Sequence, residues 1–311
     1  MLIIQNKIKT KLTMLAIIIV NYKDEERTIT YIKEELFKVQ SPHRIVIVNN
    51  AATNESNNTL ISKLNAILIT NINLKPIEAG CYVLSQSDNL GFAKGNNLGA
   101  EFSLKYFNIT HFLFTNNDIH FVDNNVVEKL IEKLETLNDV GLIGPKVIGL
   151  DGVNQSPEPY YTFWNSYIWM YWLTPFLSAN KKRKIFKLDY SQQAQEGVHY
   201  KIMGSFFIVN AVDFQNCGMM DPNTFLYAEE VILSERLKAI HKNAYYYPQV
   251  GVLHEQGQTI KQYFKAAKSK RLLFNSESYY YHNYRGVSAF SIFLGKLSID
   301  FYIKLKSIFN Y

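Results

Sequence analysis

Cysteine is nearly missing from this chain: Cys81 and Cys217 are the two among 311 residues, far apart and in apolar surroundings. That excludes a disulfide framework and a thiolate zinc site, and it fits a reducing compartment. No phosphate loop of the form Gly, four residues, Gly-Lys-Ser/Thr occurs, which argues against a P-loop kinase or NTPase. No Gly-x-Gly-x-x-Gly follows the first strand candidate, which argues against a dinucleotide oxidoreductase. Long apolar runs are missing too. Leu15–Val20 is too short for a signal core or a membrane span, and Met1–Thr13 is interrupted by Lys7, Lys9 and Lys11. Trp164–Leu177 carries Asn165, Ser166, Thr174 and Pro175, so it reads as an interfacial segment at most.

What is present is an ordinary globular composition, 47% hydrophobic, with abundant Tyr and Phe that mostly serve packing. The formal charge of +6 is partly local. Lys181, Lys182, Arg183, Lys184 and Lys187 form one basic run, and Lys261, Lys265, Lys268, Lys270 and Arg271 another. Such runs cover solvated faces and suit an anionic membrane surface or a diphosphate; no nucleic-acid motif accompanies them.

Strand and helix candidates alternate through the first half. Strands are expected at Leu15–Val20, Arg44–Val48, Tyr82–Ser85, His111–Thr115 and Val140–Ile143. Helices are expected at Glu25–Val39, Ile61–Leu64, Phe92–Phe107 and Val126–Leu137, with a polar loop over Asn49–Asn58. Asp151–His199 is irregular and reads as an insertion. Gly204–Asn210 and Ala244–Tyr247 are later strands, Ala228–His241 a helix, Gly251–Thr259 a polar loop, and the chain is mainly helical from Lys261. This order predicts an α/β fold with a mostly parallel sheet flanked by helices and a helical C-terminal extension. Ligands in such sheets sit beyond the carboxyl ends of the strands, where Asn21-Tyr22, Asn49-Asn50 and Asn116–Asp118 fall.

Five stretches can carry chemistry. After the first strand comes Asn21-Tyr22-Lys23. Asp88–Gly99 mixes Gly and Asn at a helix start: Gly91 permits a tight turn, and the helix N-terminus favours an anion such as diphosphate, unless it is simply a capped helix. Asn116-Asn117-Asp118 offers one carboxylate and two amides to a hard divalent cation, or merely a strand-end turn. Glu229 and Glu230 open a helix, where they complement its dipole or serve as general base. His254 follows a strand and can contact metal or phosphate.

In order, IIIVNYKDEE, IVIVNNAATNES, SDNLGFAKGNNLGAE, FLFTNNDIHF, the stretch from GSFFIVN to FLYAEEVILSERLK, and VGVLHEQGQT resemble the family 2 inverting glycosyltransferases of GT-A fold, in particular bacterial polysaccharide and rhamnosyl-type transferases. The resemblance implies a GT-A domain over 14–260, with 151–199 as an acceptor-side insertion and 261–311 as a helical extension. It implies that Asn21, Tyr22, Asn49, Asn50, Asp88, Gly91, Asn117 and Asp118 line the donor site. It also implies that Asp118 and His254 hold Mg2+ or Mn2+ with the donor diphosphate, and that Glu230, with Glu229 beside it, is the catalytic base. The implied activity moves a sugar from a nucleoside-diphosphate donor to a glycan or lipid-linked saccharide, with inversion, in bacterial surface polysaccharide synthesis on the cytoplasmic side. Ile292–Phe309 would then meet the inner membrane face, or pack as an ordinary helix. Asn49 and Asn116 stand where the family usually has Asp, and Glu230 where Asp is commoner. These departures motivate an alternative, a catalytically impaired nucleotide-sugar-binding protein of a glycan assembly complex. Asp118, Glu229, Glu230 and His254 oppose it. A nucleotidyltransferase would need a Gly-rich basic loop after the first strand, and VNYKDEE is not one.

Overall fold

A computed structural model describes residues 14–173, 176–255 and 266–308. Readings that fall on Met1–Thr13, on Thr174 and Pro175, on Gln256–Thr259, on Lys261 and Lys265, and on Phe309–Tyr311 lie outside the described residues. The strands are β1 (Leu15–Tyr22), β2 (His43–Asn50), β3 (Ile67–Ile69), β4 (Cys81–Gln86), β5 (His111–Thr115), β6 (Ile119–Phe121), β7 (Val140–Gly149), β8 (Gly197–His199), β9 (Phe206–Asn210) and β10 (Asn243–His254). They form one sheet in the order β3-β4-β2-β1-β5-β9-β7-β10-β6, with β8 paired to β10. Its first half, β3 to β5, is parallel; β9 enters antiparallel between β5 and β7.

The continuous apolar run of β1 follows from burial on both faces. Leu15, Ile17 and Ile19 join the core under α1 (Glu25–Glu34), α2 (Asn54–Leu64) and α4 (Val126–Glu135). Ala16 and Ile18 face the opposite core, under α3 (Gly91–Tyr106). Glycines let α3 lie close: a Cβ on Gly99 would come 2.7 Å from the Ile18 side chain.

Several expected boundaries move. Asn49–Asn58 is not a loop, because β2 runs to Asn50 and α2 begins at Asn54. Thr53 and Ser56 form a reciprocal capping box there, worth about 1 kcal/mol, so the polar residues are a helix surface. The helix expected over Glu25–Val39 stops at Glu34 and tightens into a 3-10 turn, Leu36–Lys38. The polar loop expected from Gly251 begins only after His254, since β10 passes through a register shift between Tyr247 and Gly251 and continues to pair with β7 and β6. The short β3 and β6 and the helix α8 (Ala211–Asn216) had no periodic signal long enough to read.

The insertion after β7 is mostly short helices: a π-helical turn over Asn165–Trp169 leading into α5 (Met170–Trp172), then α6 (Ala179–Ile185) and α7 (Tyr190–Gln193). After α9 (Glu229–Ala239) and β10 come two long helices, α10 (Ala266–Arg285) and α11 (Ala289–Ile308). The insertion and the C-terminal helices share a third core, in which Phe163 and Tyr167 meet Ile232, Phe274, Tyr281 and Ile299. The extension is therefore packed on the domain. Among the described residues no helix is long and apolar enough to cross a membrane.

Candidate active site

The strand-end amides turn inward. Asn21 Nδ2 donates to Asn49 Oδ1 at 2.8 Å, Asn49 Nδ2 to Asn57 Oδ1 at 2.9 Å, and Asn57 Nδ2 to Ser85 Oγ at 2.9 Å. Thr28 donates to Asn21 Oδ1, and Asn117 Nδ2 to Thr28, at 2.8 and 2.9 Å. This chain ties the ends of β1, β2 and β4 to α1 and α2. An amide at Asn49 suits it, because it donates and accepts at once, where a carboxylate would only accept. Asn21 and Asn49 are thus engaged within the protein, whereas Asn50 keeps a buried Oδ1 without a hydrogen-bond partner. Tyr22 is half-buried and Asp88 exposed at the same rim. Gly91 has φ +78°, and its N–H is taken by Asn89 Oδ1 at 3.0 Å; the next N–H, of Phe92, goes to Phe225 O at 3.0 Å. The α3 start is therefore shaped by the loop before α9 more than it is open to an anion.

Asp118 and His254 do come together. They are sequence-distant, but His254 pairs with Ile119 in the β10–β6 ladder, and the Glu255 N–H donates to Asp118 O at 3.1 Å. Both are buried, with His254 Nε2 3.4 Å from Asp118 Oδ1, an atom that has no hydrogen-bond partner. Gln155 Oε1 lies 3.0 Å from His254 Nδ1; in the tautomer that carries its proton on Nδ1, the Nε2 lone pair faces the carboxylate. Two lone-pair atoms at that separation fit a shared cation. The described residues contain no third His, Cys, Asp or Glu to complete a protein-only cage. A Mg2+ or Mn2+ there would take phosphate and water oxygens for the remainder, as such ions do. A hollow of about 280 Å³ opens on the α1 side of this pair, lined by Asp118 itself with Asn117, Glu34, Glu35, His120 and Glu255.

Glu229 and Glu230 follow two successive left-handed residues, Tyr227 (φ 75°) and Ala228 (φ 67°). Such backbone is costly and persists where the surroundings enforce it. Here Phe92 N–H holds Phe225 from one side, and Ser276 of α10 donates to Leu226 O at 2.8 Å from the other. The turn sends the two carboxyls to different places. Glu229 is 3% exposed and keeps one oxygen without a partner. Burial, with repulsion from Glu230, pushes its carboxyl up to about 8. Glu230 is only half-buried and lies against Gly204: a Cβ there would stand 2.0 Å from Glu230 Oε1. Burial raises its affinity for a proton as well, opposed by the Lys201 ammonium and the Gly204 backbone.

The two clusters are neighbours. Asn116 N–H donates to Ser205 O at 2.9 Å, and Thr115 pairs with Phe206. The chain leaving β5 toward Asp118 thus runs beside the chain entering β9 from Gly204. Sequence reasoning passed over Gly204, Lys201, Glu158, Gln155 and Glu277. Lys201 had one readable signal: a single charge in the run Tyr200–Phe207, where a half-buried lysine needs a partner. The carboxylates come from the insertion and from α10, which nothing local aligns with β9.

No family model matches the chain. It is 24% identical over 250 residues to a low-salt glycan biosynthesis hexosyltransferase of Haloferax volcanii, covering 80% of this chain and 69% of that protein. Among solved structures it is similar to a mannosyltransferase from Pyrobaculum calidifontis in complex with GDP-Man and Mn2+, with a TM-score of 0.51, 10% identity, and 94% and 75% of the two chains covered. It is also similar to GalNAc-T7 with UDP, GalNAc and Mn2+, at a TM-score of 0.51 and 12% identity over 79% and 44% of the two chains. The fold is that of the GT-A proteins.

Proposed function

We propose, for a chain that belongs with the GT-A-type glycosyltransferases, an inverting transfer of a sugar from a nucleoside diphosphate to a glycan hydroxyl during surface-glycan synthesis. One observation supports this most: an acid on a glycine cradle, Glu230 on Gly204, and a buried carboxylate–imidazole pair, Asp118 and His254, are carried by paired segments, the chain leaving β5 and the chain entering β9. Glu230 takes the proton of the acceptor hydroxyl. That oxygen forms a bond to the anomeric carbon, and the bond from this carbon to the phosphate oxygen breaks, its electron pair leaving with the diphosphate. Bound between Asp118 and His254, Mg2+ or Mn2+ would supply charge stabilisation to the leaving diphosphate. The Asn21–Asn49–Asn57 chain holds the rim on which Tyr22, Asn50 and Asp88 meet the donor, and Gly91 lets the Phe225 loop close against that rim. The curated relative is archaeal, so the proposal extends to surface glycans generally rather than to bacterial ones alone.

A donor screen tests it. Purified protein with Mn2+ is offered UDP-, dTDP- and GDP-sugars, and nucleoside diphosphate release is followed. Release from one donor, falling at least 100-fold in Asp118→Ala and on chelation, is the expected result. Binding without release, with lipid-linked saccharides present, would favour a non-catalytic nucleotide-sugar binder.

The C-terminal helices support contact with an anionic membrane. The inner side of α11 packs through Gly295 and Ile299 on Phe163 and its neighbours. Its outer side carries Phe290, Phe293, Leu297 and Phe301, each more than half exposed, at one-turn spacing. Lys296 and Lys304 flank that stripe, and exposed Lys181, Arg183 and Lys184 of α6 add to the basic surface. Helix packing and lipid contact therefore use opposite faces of one element. Phe293→Glu with Leu297→Glu should abolish flotation with anionic vesicles while leaving donor release unchanged. Equal flotation of variant and wild type would remove the membrane from the proposal.

A further inference from the structure

We propose that Lys201 is the positioning residue of the base: fixed by its own ion pair with Glu158, it offsets the carboxyl groups that three separate segments bring together and so keeps Glu230, on the Gly204 seat three residues along the chain from Lys201, able to act as a base. This deepens the reading of Glu230 as base and rests on it. Lys201 lies between β8 and β9. Its backbone bridges Glu158 of the insertion, with the Glu158 N–H donating to Lys201 O at 3.0 Å. Its Nζ is 2.9 Å from Glu158 Oε2. Backbone and side chain thus fix the same pair twice, which leaves the ammonium little freedom.

Three residues further on, Gly204 carries the Glu230 carboxyl. From α10 comes Glu277, which accepts from the Tyr167 hydroxyl. The groups that act on one another here are Glu158, Glu229, Glu230, Glu277, Tyr161, Tyr167 and Lys201. Three carboxylates, of Glu158, Glu230 and Glu277, act on one ammonium, with the protonated Glu229 carboxyl beside them. Burial disfavours charge on Lys201, but Glu158, Glu230 and Glu277 reverse this and hold it protonated. Removing the ammonium would leave the carboxylates to repel one another, and Glu230 would gain its proton at a higher pH. A packing role for Lys201 predicts no such shift.

The experiment is the pH dependence of kcat/KM in wild type, Lys201→Met, Lys201→Arg and Glu158→Gln, on the donor found in the screen. Lys201→Met should move the acid limb up by at least one pH unit, lowering the rate at neutral pH more than 10-fold and regaining most of it at high pH. Lys201→Arg should restore the limb. Glu158→Gln removes a negative neighbour of Glu230 and should move the limb down, and it serves if Lys201→Met does not fold. A uniform loss across pH in Lys201→Met, or an unmoved limb in Glu158→Gln, would overturn the proposal. Glu230→Gln separates the two levels. Full transfer in that variant sinks the base assignment and the role of Lys201 with it. An inactive Glu230→Gln beside an unshifted Lys201→Met sinks the role of Lys201 alone.

Discussion

Glu230→Gln should lower kcat by ~10²–10⁴-fold and leave donor affinity nearly unchanged, the loss expected for one general base. The amide keeps the size of the side chain and its place against Gly204, so the effect isolates the proton acceptor. Glu229→Gln should retain most of kcat, because its carboxyl is buried and already holds a proton at neutral pH. Its signature lies in stability. The folded-state value, about 8, is above the ordinary glutamate value, so the folded chain binds the proton more tightly than the unfolded one. That contribution is fully present below the unfolded value and is lost as pH rises toward 8. Melting temperatures of wild type should therefore fall between pH 5 and pH 9 more steeply than those of Glu229→Gln, in which the titrating group is gone. An inactive Glu229→Gln beside an active Glu230→Gln would reverse the two roles.

The sequence carried the frame of this site because its elements are local. The apolar runs of β1, β2 and β5 and the amphipathic α4 declare themselves by periodicity, and their polar ends mark the rim. Where polarity served an internal purpose it misled: Asn57 looks like loop material, yet its side chain spans from Asn49 to Ser85 beneath the rim. The pairing of Asp118 with His254 depends on β10 returning along the sheet to meet β6, an event separated by 136 residues in the chain. Glu158 and Glu277 are less legible still. Glu158 meets Lys201 through a single backbone bridge, too short to leave a pattern, and Glu277 reaches the cluster only because α10 shares a core with the insertion.

Gly204→Ala should lower kcat by about 100-fold without unfolding the protein, because the added methyl occupies the seat of the base. The new Cβ would lie 2.0 Å from Glu230 Oε1, 2.3 Å from Cγ and 2.5 Å from Cδ, so no rotation of the carboxyl alone relieves it. The whole side chain must leave the cradle. Gly204 is not among the glycines with positive φ, so alanine meets no backbone penalty there and the damage stays local. A double-mutant cycle decides whether the methyl acts through Glu230. On a Glu230→Gln background the base is already gone, so Gly204→Ala should add little further loss. A circular dichroism melt within a few degrees of wild type would show the fold intact. Full additivity of the two losses would mean that Gly204 serves the acceptor path or the strand itself. Non-additivity, with a retained melt, would tie the glycine before β9 to the carboxylate before α9 as one catalytic unit.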